Sequence, residues 1–172
     1  MISADLIAQL PMTKSGNTQI VVFVDTLSKM VQFAAVLTAS TAYNMARLFL
    51  HNLIRLHGTQ REIVSDRDTL FTSAFWEELT AALGTKLAMS TACHPANDGQ
   101  TERTNRTLDE KKRHFVSPTQ DDWDEHLDAA EFAINNAWQE SVQNTPFMLN
   151  SGQHTIAKTN AAVPVLEVIL CA

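Results

Sequence analysis

The spacing of apolar positions changes twice along this chain, and the changes mark out its elements. Residues 2–10 are apolar with one acid, Asp5, set among them, and residues 11–18 carry the turn pair Gly16 and Asn17. Ile20, Val21, Val22, Phe23 and Val24 form an unbroken β-branched and aromatic run, the pattern of a strand covered on both faces. In residues 29–37 the apolar side chains alternate, at Val31, Phe33, Ala35 and Leu37, which predicts a third strand. Short connections between the three predict an antiparallel meander.

From Thr41 the period lengthens. Ala42, Met45, Ala46, Phe49, Leu50, Leu53 and Ile54 fall at three- and four-residue steps, one face of a helix over 41–57 that stops at Gly58. Residues 62–66 read as a short strand. Phe75, Trp76, Leu79 and Leu83 line a second helix ended by Gly84, and residues 86–90 read as a fifth strand. Residues 91–99, with Pro95, Asn97, Asp98 and Gly99, predict a loop, and residues 100–115 a polar, charged helix. Asp122 and Glu125 have the spacing of a capping box opening a helix over 122–138, with Trp123, Leu127, Ala130, Ile134, Ala137 and Trp138 on one side. Thr145 and Pro146 open a last short helix, with Gly152 past its end.

The resulting order, three strands and then alternating helices and strands, predicts an α/β fold: one five-stranded mixed sheet flanked by helices. In such sheets functional groups gather at the carboxyl ends of parallel strands, and Asp66 closes one of them.

Composition narrows the classes open to such a fold. The 172 residues are enough for one domain with a proper core, and no apolar run reaches the length needed to span a bilayer. The N-terminus has neither the basic end nor the apolar stretch of a signal peptide. Cys93 and Cys171 stand far apart with no C-x-x-C, which predicts a reducing compartment and no zinc site. Thirteen basic against nineteen acidic side chains leave a net charge of −6, which argues against a general electrostatic grip on nucleic acid. DNA handling by this chain must rest on local basic patches or on further domains.

Three carboxylates carry the candidate chemistry. Asp5 interrupts an apolar strand, where it either faces water from an edge or is paired or metal-bound. Asp66 stands where turn aspartates are common, and Glu102 where a helix dipole favours an acid. Taken singly, each has an ordinary structural explanation. Together, a central strand, a neighbouring strand end and a helix start can bring three acidic ligands to one spot. Phosphoryl transfer with two divalent cations about 3.5–4 Å apart needs such a set.

The surrounding residues are also distinctive. Ile63-Val64-Ser65-Asp66-Arg67-Asp68, followed by Phe71-Thr72-Ser73 and Phe75-Trp76, resembles the second block of integrases from gypsy-type LTR retrotransposons. His94-Pro95-Ala96-Asn97-Asp98-Gly99-Gln100-Thr101-Glu102-Arg103-Thr104-Asn105 is similar to their third block. Thirty-five residues separate Asp66 from Glu102, the spacing behind that superfamily's Asp, Asp-35-Glu name. Asp5-Leu6-Ile7, Trp123 to Leu127 and Thr145-Pro146-Phe147 also match the family's run, so the resemblance covers residues 2–154 and leaves 155–172 as a divergent C-terminal tail.

The resemblance implies a ribonuclease-H-like catalytic core in which Asp5, Asp66 and Glu102 hold two Mg²⁺ or Mn²⁺ ions. It implies 3′-end processing and strand transfer of element DNA into host DNA. Arg106, one turn from Glu102, with Asn105, His94, Gln100 and Arg103, are the expected DNA contacts. A homodimer through helices 41–57 and 122–138 is implied, with Trp123 and Trp138 as aromatic anchors at the ends of the second. So is action in the nucleus, preceded by a cytoplasmic virus-like particle. The family's flanking zinc domain and its C-terminal DNA- or chromatin-binding part do not fall within these residues. Cys93 stands where the family has Tyr, and Lys111-Lys112 where it has apolar residues; both lysines are expected in solvent. A ribonuclease H proper would draw a fourth carboxylate from the first helix, and residues 41–57 contain no acid at all. The remaining alternative is a catalytically reduced or domesticated integrase-like module that acts in DNA or protein binding.

Overall fold

The computed structural model describes residues 1–37, 40–65, 68, 71–89 and 121–153. Strands β1 (Ile2–Ile7), β2 (Gln19–Asp25) and β3 (Val31–Val36) form the expected meander, and β4 (Glu62–Ser65) and β5 (Lys86–Met89) complete the sheet. The strand order is β3-β2-β1-β4-β5, with β2 antiparallel to both its neighbours and β1, β4 and β5 parallel. β1 is therefore the central strand, and Asp5 does not lie on an edge.

The two-residue repeat of β2 divides the core. Val21 and Phe23 face one layer, while Ile20, Val22 and Val24 face the other, and all five are at most 1% exposed. This is why the run reads as continuously apolar.

The first layer is helical. Helix α1 (Ala42–Phe49) starts at Thr41, whose hydroxyl accepts from Asn44 N–H. It runs into a π-helical segment (Leu50–Ile54) and then a last turn, α2 (Arg55–His57), closed by Gly58 at φ 72°. The wider π turn re-phases the helix. Met45, Ala46, Phe49 and Leu53 are buried, whereas Leu50, assigned to the stripe from its spacing, is 36% exposed. Helix α3 (Ala74–Ala82) adds Trp76, and Phe49, Trp76 and Phe71 meet edge to face at 5.3 and 5.6 Å.

The second layer departs from its expected form. The capping box does not close: Asp122 makes no side-chain capping bond, and Trp123–His126 winds as a 3₁₀ turn before α4 (Leu127–Asn136) begins. Ala137 is extended and ends the helix, so Trp138 lies beyond it and is 63% exposed. Trp123 is a core side chain, not a surface anchor: it is 2% exposed, and its indole N–H donates to the Pro11 carbonyl at 2.7 Å. Helix α5 (Pro146–Ser151) is capped as its sequence predicts, by Thr145 at one end and left-handed Gly152 at the other. The helix predicted over 100–115, the loop before it, Lys111, Lys112 and the tail lie outside the described residues.

Candidate active site

β1 leaves the core along its length. Ile2, Ser3 and Ala4 are buried, whereas Asp5, Leu6 and Ile7 are half-buried, so the strand's carboxyl end emerges at the sheet rim. Side chains alternate there: Leu6 packs with the α1–α3 layer and Ile7 with the α4 layer, which puts Asp5 on the α4 side. One Asp5 oxygen accepts from the Leu6 N–H at 2.9 Å. The carboxylate sits on the most constrained strand of the sheet and still reaches water, a position that suits a ligand to a hard cation.

Beside it, β4 runs parallel in the register Ile2↔Ile63, Ser3↔Val64 and Ala4↔Ser65. Ser65 is the last residue of β4, and Asp66 follows it in sequence but lies outside the described residues. So do Glu102, Arg106, Asn105, His94, Gln100, Arg103 and Cys93. Of the three expected metal-binding carboxylates the described structure therefore places Asp5, and among the described residues no group of three His, Cys, Asp or Glu side chains could hold a metal ion.

The rest of the second sequence block has a structural job. The Asp68 carbonyl accepts from the N–H groups of Phe71 and Thr72, turning the chain after β4. Phe71 then enters the core at 0% exposure, Ser73 caps α3 by accepting from the Trp76 N–H, and Trp76 is fully buried. These residues anchor the chain on the far side of the short segment that contains Asp66. Phe75 points outward, 41% exposed, with its ring 5.9 Å from that of Tyr43.

Polar contacts fasten the α4 layer close to this rim. Asp124 accepts from Thr13 Oγ1 at 2.9 Å and Asn17 Nδ2 at 2.8 Å, tying the β1–β2 connection to the 3₁₀ turn. Burial pushes the Asp124 carboxyl up, but hydrogen bonds from Asn17, Thr13 and Ser15 outweigh it and hold the group below the usual carboxylate range. Glu131 and Asn135 reach from α4 to β3, and the sequence pattern singled out neither. The available signal was an acid and an amide one turn apart on a helix that packs on the sheet. Two open cavities, of about 690 Å³ beside α1 and β3 and about 400 Å³ near Asp25 and His57, do not touch Asp5.

A mixed five-stranded sheet in this order, with helices on both faces, is the ribonuclease-H-like fold of integrase catalytic cores. Solved structures share it. The catalytic core of BIV integrase matches with a TM-score of 0.66 at 22% identity, over 87% of this chain and 91% of that one. The HTLV-2 integrase catalytic core in complex with magnesium, in a trimeric form, matches at 0.68 and 19%, over 87% and 94%.

Sequence supplies the relationship that the fold alone does not. The chain is 34% identical over 146 residues to the transposon Tf2-3 polyprotein of Schizosaccharomyces pombe, which covers 85% of the chain. It spans 11% of that polyprotein's length. No family model matches the chain. The chain belongs with the integrase catalytic cores of LTR retrotransposons.

Proposed function

We propose that this domain is the catalytic core for 3′-end processing and strand transfer of element DNA into host DNA, using two divalent cations held by Asp5, Asp66 and Glu102. The observation that carries the reading is the place of Asp5. It sits where the central strand emerges, and the residue before it in β1 pairs with the residue before Asp66 in the sequence. Carboxylate oxygens are the donor set that Mg²⁺ or Mn²⁺ prefers. When bound, the two ions supply activation of a water or a 3′-hydroxyl and stabilisation of the departing 3′-oxygen.

The chain's own residues do the positioning. Asp5 pairs with Val22 of β2, and the residue before it pairs with Ser65 of β4, so its carboxylate is held without any loop having to order. Phe71, Ser73 and Trp76 anchor the segment after β4. Arg106, Asn105, His94, Gln100 and Arg103 are the groups proposed to meet the DNA, acting in the nucleus. Self-association is proposed through the helices over 41–57 and 122–138. Leu56, 56% exposed, and the partly buried Phe132 are the apolar contributors on offer there, in place of Trp123, which the core takes up. No helix among the described residues is long and apolar enough to cross a membrane.

The test is Mn²⁺-dependent cleavage of a branched DNA that mimics the strand-transfer product. Asp5→Asn is expected to abolish cleavage while the circular dichroism spectrum and unfolding midpoint stay near wild type, because the change is isosteric at a half-exposed site. Asp66→Asn and Glu102→Gln should behave alike. Full activity in Asp5→Asn would reject the assignment.

A further inference from the structure

β3 is an edge strand, so alternate backbone groups along it point away from β2 with no strand to meet them. Helix α4 meets two of these positions with side chains. The Val31 N–H donates to Asn135 Oδ1 at 2.8 Å, and Asn135 Nδ2 donates back to the Val31 carbonyl at 2.8 Å. The Phe33 N–H donates to Glu131 Oε2 at 2.8 Å. The spacings agree, since one helical turn between residues 131 and 135 rises about 6 Å and two strand residues span about 6.8 Å. The helix thus imitates a sixth strand with two side chains, one permanently neutral and one ionisable.

The ionisable one sits in a seam poor in charge. β3 and α5 carry no titratable side chain. On the 3₁₀ turn, Asp124 is held by Thr13 and Asn17, His126 lies 3.7 Å from Asp122, and Glu125 is exposed. Asp128 is the other acid on α4. Burial raises the Glu131 carboxyl to about 7, against the Phe33 N–H, which lowers it, and with a further push from Asp128.

We propose that Glu131 is a proton-operated latch on the sheet edge: uncharged it closes α4 onto β3, and on losing its proton to solvent it loosens that helix from the strand. The ionised carboxylate gains hydration only by parting from the seam, whereas Asn135 holds the next turn at any pH. The sign follows from the raised value. The stabilisation is complete below the unfolded carboxyl's 4.5 and is lost as pH rises through about 7. The latch does not depend on the metal-dependent reading of the rim, and it ties the order of a helix proposed for self-association to pH near neutrality.

Hydrogen exchange of single amides, corrected for intrinsic rate between pH 5.5 and 8.5, tests it on the whole chain. Protection of the Phe33 amide, relative to Val64 in β4, is expected to fall about tenfold or more as pH rises from 5.5 to about 7 and to level off above that. Glu131→Gln keeps an acceptor for Phe33 and cannot ionise, so its Phe33 protection should stay flat. That variant also separates the latch from every other ionisable group of the chain. Phe33 protection that tracks Val64 throughout, or a wild-type pH response retained in Glu131→Gln, would overturn the proposal. Should the variant fail to fold, the ¹³C shift of the wild-type Glu131 carboxyl decides: titration near 7 supports the latch, and titration near 4.5 ends it.

Discussion

The two faces of this sheet are closed by different physics. On the α1–α3 side an aromatic cluster does the work: Phe23, Phe49, Phe71 and Trp76 are all at most 1% exposed and pack ring against ring. On the α4 side an apolar core of Ile20, Val22, Val24, Trp123, Leu127 and Ile134 is bordered by directed polar contacts. Trp123 reaches the Pro11 carbonyl, Asp124 the Thr13 and Asn17 side chains, and Asn135 and Glu131 the edge of β3. Burial of area is non-directional and tolerates changes of shape. A hydrogen bond to a buried edge strand fixes register and exacts the full desolvation cost if it is broken. The first face is closed by non-directional burial, and the directed contacts of the second set where α4 and the β1–β2 connection stand relative to the strand that carries Asp5.

The largest effect should come from emptying the aromatic face. Trp76→Ala removes the side chain shared by the Phe49 and Phe71 contacts and is expected to cost about 3–5 kcal/mol, read from the urea midpoint. Trp76→Phe should cost much less, because it keeps most of the ring and discards an indole N–H that has no acceptor among the described residues. Equal losses in the two variants would show that the face depends on directed bonding after all.

The same contrast explains what could be read in advance. The β2 run, the Trp76, Leu79 and Leu83 stripe of α3 and the caps at Thr145 and Gly152 are local patterns, decided by neighbours a few residues away, and stand as expected, whereas Phe75, counted with that stripe from its spacing, is 41% exposed. The pattern around Asp5 allowed an edge position, and its central place is decided by the pairing of β1 with β4, far along the chain. Asn135 and Glu131 were illegible because their partners, Val31 and Phe33, lie 104 and 98 residues away, and an apolar-stripe template counts both side chains as misfits. The failed capping box has a similar origin. Trp123 is pulled into the core and onto Pro11, and the chain winds tightly as a 3₁₀ turn to deliver it. The π turn in the first helix is announced by no residue in that stretch.

Asn135→Leu sets the two kinds of closure against each other directly. By pattern it is an improvement, completing the apolar stripe of α4 at a fully buried position. By structure it leaves the N–H and carbonyl of Val31 buried without partners, and it is expected to destabilise the domain by about 2–4 kcal/mol. The aromatic face should keep its near-ultraviolet circular dichroism until global unfolding. A stabilised variant would mean that water or another group reaches the β3 edge freely, and that α4 is held by apolar contact alone.

The smallest expected effect is at Asp124, where the sign of the pH response is opposite to that of Glu131. Hydrogen bonds from Asn17, Thr13 and Ser15 hold this carboxyl below its ordinary value of 3.8 in the folded protein. A depressed folded value means that the unfolded chain takes up the proton first. The contribution is therefore complete above 3.8 and is lost only as pH falls below it, through the folded value. The group is only half-buried, so solvent screens the interaction and the loss should be slight. Asp124→Asn keeps an oxygen to accept from Thr13 and Asn17 but cannot titrate, so it should remove a small part of the acid destabilisation while leaving the midpoint at pH 7 almost unchanged. Thermal unfolding of wild type and variant between pH 2.5 and 7 measures this. Curves that run parallel through the acid range would show that the tie between the β1–β2 connection and the 3₁₀ turn is carried by shape, and that directed charge on this face is confined to the edge of β3.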